Sequence, residues 1–126
     1  MTDFVHILMD DSALVAAGRG NELASRLIHR AHAEPGWHLY TTACALVEAD
    51  RTRRGTAEHF AALPAVVVLE LDLPSALAVA QEDTWAAAHT EYAAQPSPDR
   101  PLGAFVASAA PRAWKGRPVR LIDLSA

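Results

Sequence analysis

Two acids stand where carboxylates do chemistry. Asp10 ends the apolar run Phe4-Val5-His6-Ile7-Leu8-Met9, which reads as a buried strand, and in a parallel α/β sheet ligands gather at the carboxyl ends of the strands. Glu48 lies in the apolar stretch Ala43-Cys44-Ala45-Leu46-Val47, where an acid is costly unless it is paired or bound to metal. Asp50 is only two residues on and cannot share its face of a helix; it begins a polar run and is expected in solvent. Oxygen ligands of this kind suit Mg²⁺ or Mn²⁺, which activate water and stabilise charge developing on a phosphate. Each acid also has a plainer reading. Asp10 or Asp11 caps the helix that begins at Ser12-Ala13-Leu14, and Glu48 pairs with neighbouring Arg51 or Thr52.

The elements that must position these acids follow from periodicity and punctuation. Asn21 caps a helix with Leu23, Leu27 and Ile28 on one face, ended by Glu34-Pro35-Gly36. Trp37–Tyr40 reads as a second strand, and Thr41 or Thr42 starts a helix running to Gly55. Another helix covers Ala57 to Leu63, and Val66-Val67-Val68-Leu69 is a third strand apolar on both faces. Pro74 opens a long helix that continues through Tyr92, with Asp72 or Leu73 near its cap. Pro101 begins another through Phe105 and Ala109, and Val119–Ile122 is the last strand. Alternation of strands with helices requires parallel crossovers, so the expectation is one domain over residues 1–126: a three-layer α/β fold with a four-stranded parallel sheet flanked by helices.

Composition narrows the function classes. The chain has 126 residues and a net charge of −4, which argues against broad sequence-independent nucleic-acid binding. No apolar stretch has membrane-spanning length and no secretory leader is evident, so a cytoplasmic protein without a membrane partner is expected. Cys44 is the sole cysteine, which excludes an intrachain disulfide and assigns it to the core. Arg51, Arg53 and Arg54 form the dense basic cluster, either a solvated helix end or a guide for a phosphate backbone. His29 and His32 lack a third ligand at motif spacing. No serine sits in a Gly-flanked nucleophile turn.

The order of elements, Met9-Asp10-Asp11-Ser12-Ala13-Leu14, and Leu46-Val47-Glu48-Ala49 together resemble a PIN domain, the nuclease fold of many bacterial toxin ribonucleases. The resemblance implies metal-dependent cleavage of RNA, with Asp10 and Glu48 as metal-binding acids, Ser12 as the hydroxyl neighbour, and Arg51, Arg53 or Arg54 on the RNA. It also implies an antitoxin partner and allows a homodimer. The family's third acid precedes an Ala-apolar-apolar-Ala helical segment; Gly103 stands before the matching Ala104-Phe105-Val106-Ala107. Asp99, four residues earlier, replaces that acid if 98–101 is helical, or caps the helix. Asp123 is the candidate for a fourth acid after the last strand. The alternative is a catalytically degenerate PIN-like binding or regulatory module.

Overall fold

The computed structural model describes residues 4–125. Its centre is one parallel sheet of five strands, not four: β1 (Val5–Met9), β2 (Trp37–Thr42), β3 (Val66–Leu69), β4 (Phe105–Ser108) and β5 (Arg120–Asp123), in the spatial order β3-β2-β1-β4-β5. Between β1 and β2 run α1 (Asp11–Gly18) and α2 (Glu22–Ala33); between β2 and β3, α3 (Ala43–Thr52) and α4 (Thr56–Ala61); between β3 and β4, α5 (Leu73–Val79) and α6 (Trp85–Ala94). A 3₁₀ turn at Pro111–Trp114 leads toward β5. No helix among the described residues is long and apolar enough to cross a membrane.

Strand alternation sorts side chains onto the two faces of the sheet. Ile7, Met9, Leu39 and Val66 pack with Leu14, Ala24, Ala49 and Phe60 from α1 to α4. On the other face Leu8, Tyr40 and Val106 meet Ala93 and Ala94 of α6 and Trp114. The helix starts follow local chemistry. Asp10, Asn21, Thr42 and Asp72 each cap the helix that follows by accepting a first-turn backbone N–H. Thr42 is the last residue of β2, so strand passes into helix without a loop. Cys44 is buried, as expected of a core filler.

Two expected helices are corrected. The long helix from Pro74 is two, separated by residues 80–84. The expected helix from Pro101 is β4, which pairs with β1 through Ile7↔Phe105 and with β5 through Phe105↔Arg120. A short apolar run of Ala, Phe and Val satisfies strand and helix periodicity alike, and here the opening between β1 and β5 decides. Gly103 is therefore a turn residue. Its φ is +73°, and a Cβ there would lie 2.4 Å from the Ala94 carbonyl oxygen, so contact and conformation both require glycine. Asp99 lies in the bend before β4, not on a helix face shared with Gly103.

Candidate functional site

Asp10 is placed by the junction of β1 and α1, and its carboxylate is engaged by protein donors. Oδ1 accepts the Ala13 backbone N–H at 2.8 Å and the Ser12 hydroxyl at 2.7 Å. Oδ2 accepts the indole N–H of Trp114 at 2.8 Å. The residue is 3% exposed. A carboxylate offers about four lone-pair sites; on Asp10 one on Oδ2 is left.

Ser12 fixes the direction of a small hydroxyl chain. Its one proton goes to Asp10, so its 3.2 Å contact with the Ser108 hydroxyl is donated by Ser108. Ser12 also accepts the Ala109 N–H at 2.9 Å, and Ser108 accepts the Ala110 N–H at 3.0 Å. The end of β4 is thus tied to the start of α1 through two serines. This explains the Ser at position 12 structurally: it bridges two strand ends.

Glu48 sits half-buried on α3. Its Oε2 accepts the indole N–H of Trp85 at 3.3 Å and lies 3.8 Å from Arg51 Nη1, and the Arg51 guanidinium lies over the Trp85 ring at 5.3 Å. The Arg51 partner weighed from sequence is therefore present. Asp11 connects the two acids electrically. Partial burial, then the charges of Asp10 and Glu48, push its carboxyl above the usual aspartate range. Asp11 and Ser12 line an open pocket of about 560 Å³ that also takes in Arg19, Asn21 and Thr52.

The remaining expected site residues disperse. Arg54 pairs with Asp50 at 3.2 Å, and Arg53 packs its guanidinium against Gly18; only Arg51 of the basic cluster adjoins an expected acid. Asp50 is structural, accepting the Gly55 and Ala57 N–H groups to turn the chain into α4. Those bonds, Ala57's first, hold its carboxyl below the usual range. Asp99 lines a different pocket with Asp72, His89 and Arg100. Asp123 ends β5 and accepts the Ser125 N–H at 2.8 Å and its hydroxyl at 2.5 Å. Among the described residues no group of three or more His, Cys, Asp or Glu is disposed to hold a metal ion.

The sequence pattern assigns no site role to Trp114, Ser108, His89 or Trp85. Their roles depend on long-range contacts: Trp114 meets Asp10 across 104 positions of chain. His89, 1% exposed, accepts the Cys44 N–H at the start of α3 at 3.4 Å, and burial lowers its pKa. No family model matches the chain, and no curated protein matches it closely enough to serve as a relative.

Proposed function

We propose that this chain is a PIN-like domain that has given up metal-dependent cleavage and acts as a binding or regulatory module. The observation that carries the reading is the Trp114 indole on Asp10 Oδ2. Capping by Ala13 and Ser12 uses Oδ1, and the Trp114 indole takes one of the two lone-pair sites on Oδ2, so a metal would find a single open site on this carboxylate, beside a bound indole. A second indole, from Trp85, reaches Glu48. The donor set does not fit Mg²⁺, which demands near-octahedral oxygen coordination.

On this reading the partner is a protein of the antitoxin kind, bound at the open pocket beside Asp11 and Arg19. Exposed Leu73 and Leu77 on α5 leave an apolar surface for a homodimer. The second reading is an Mg²⁺- or Mn²⁺-dependent ribonuclease acting on RNA. One observation favours it: the raised pKa of Asp11, which comes first from burial and then from the charges of Asp10 and Glu48 nearby. The deciding experiment incubates the protein and its Asp10→Asn variant with single-stranded RNA and Mn²⁺. Equal, background-level cleavage supports the module; cleavage by the native protein that the variant loses supports the nuclease.

A further inference from the structure

The opposite end of the sheet carries a second feature, built by register. β4 begins at Phe105 opposite Ile7, so Val5 and His6 of β1 extend beyond it and leave a notch that the turn at Pro101–Gly103 borders. The result is a groove of about 360 Å³, within the size range of small-ligand sites. Its walls are rings and apolar side chains. Phe4 is 61% exposed and Leu102 84%; Phe105 and Arg120, in register with Ile7, belong to the opposite face of the sheet from His6, and the groove takes in residues of both faces. Phe4 and His6 are stacked with centroids 6.4 Å apart, and the ladder continues from His6 to His38 at 5.2 Å and to Tyr40 at 5.8 Å.

Among the described residues that line the groove, one is charged: Arg120, in a chain of net charge −4. Its guanidinium lies 4.2 Å from the Phe105 ring centroid, and one Nη donates to the Leu102 carbonyl at 2.8 Å. A guanidinium carries five N–H donors, so donors remain for an anion. Burial, with the charges of His38 and Arg100, lowers the His6 pKa, keeping its ring neutral and stackable at neutral pH.

We propose that this groove binds a nucleotide unit, the base against Phe4 and His6 and the phosphate on Arg120. Planar rings take any base by its face, and a guanidinium is the preferred partner of phosphate. A free nucleotide and one unit of a single strand present the same chemistry. The groove lies away from Asp10, so this proposal stands or falls separately from the reading of the carboxyl end.

The test is fluorescence anisotropy at low salt with two labelled probes, AMP and a single-stranded RNA heptamer, each with EDTA present. The native protein should bind at least one. AMP binding as tight as the heptamer's assigns the groove to free nucleotide, and binding of the heptamer alone assigns it to a strand. Phe4→Leu, which keeps apolar bulk and removes the ring, should weaken binding about tenfold. Arg120→Gln should weaken it too, and on the heptamer should flatten the dependence of log affinity on log salt by about 0.7. Arg26→Gln removes the same charge from exposed α2 and should change nothing. Binding of neither probe, native-like binding by both groove variants, or an equal loss in Arg26→Gln would overturn the proposal.

Discussion

The two ends of this sheet treat their polar groups in opposite ways. At the carboxyl end Asp10 is buried and receives three protein donors, and Glu48 receives an indole and an arginine. At the amino end Phe4 and Leu102 stand in solvent beside Arg120, which keeps donors to spare. A polar cluster that satisfies itself contributes to rigidity, whereas rings and cations left open retain capacity for a ligand. The acids that the sequence marks for chemistry are the ones the fold has already used.

That contrast is broken most severely by Asp10→Ala. The change strands the Ala13 N–H, the Ser12 hydroxyl and the Trp114 indole, and at ~1–3 kcal/mol for each buried unsatisfied group a total loss of roughly 3 kcal/mol is expected in urea denaturation. Phe4→Ala, at an exposed ring, should stay within about 0.5 kcal/mol of the native protein. Trp114→Phe should cost ~2 kcal/mol, the range of one hydrogen bond to a charged group. It should also create affinity for Mn²⁺ where the native protein has little, read as a metal-dependent rise in Tm.

Smaller effects come from titration. His89 and His6 have lowered pKa values in the fold, so below about 6.5 the unfolded chain takes up protons that the folded chain refuses. Their contribution is fully present above that pH and is lost as pH falls through and below it; melting temperatures at pH 7.5 and 5.5 should show the decline, and His89→Gln should reduce it. Asp11 has the opposite sign. Its folded pKa lies above the unfolded value, so ionisation costs stability as pH rises through the interval between them. Asp11→Asn should therefore raise Tm at pH 7, and the gain should vanish near pH 3, where both carboxyls are protonated. A lower Tm for Asp11→Asn at pH 7 would contradict the raised Asp11 pKa and remove the observation that favours the second functional reading.

Local chemistry was the legible part of this chain. Caps at Asn21, Thr42 and Asp72 and the strands around Leu8, Tyr40 and Val67 follow from residue type and spacing, because each depends on neighbours within a turn or on strand alternation. The stretch from Pro101 to Ala109 was not legible. Its few apolar residues fit either periodicity, and only the neighbours β1 and β5 make it a strand. The same error displaced the expectation for Asp99, since a helix face shared with Gly103 exists only if the segment is helical. At the candidate site, Asp10 and Glu48 stood out by type and setting. Trp114 did not, because Pro111-Arg112-Ala113-Trp114 carries no mark of its partner more than a hundred residues earlier.

On the proposed reading the Trp114 indole keeps Asp10 Oδ2 from serving a metal. The most direct measurement follows the Trp114 indole N–H in a ¹⁵N-labelled sample, its resonance assigned by Trp114→Phe, while Mg²⁺ is added. An indole engaged by a committed carboxylate keeps its chemical shift and its slow exchange with solvent across the titration. A saturable shift or faster exchange of that one resonance, absent in Asp10→Asn, would show the metal taking the oxygen and would contradict the account.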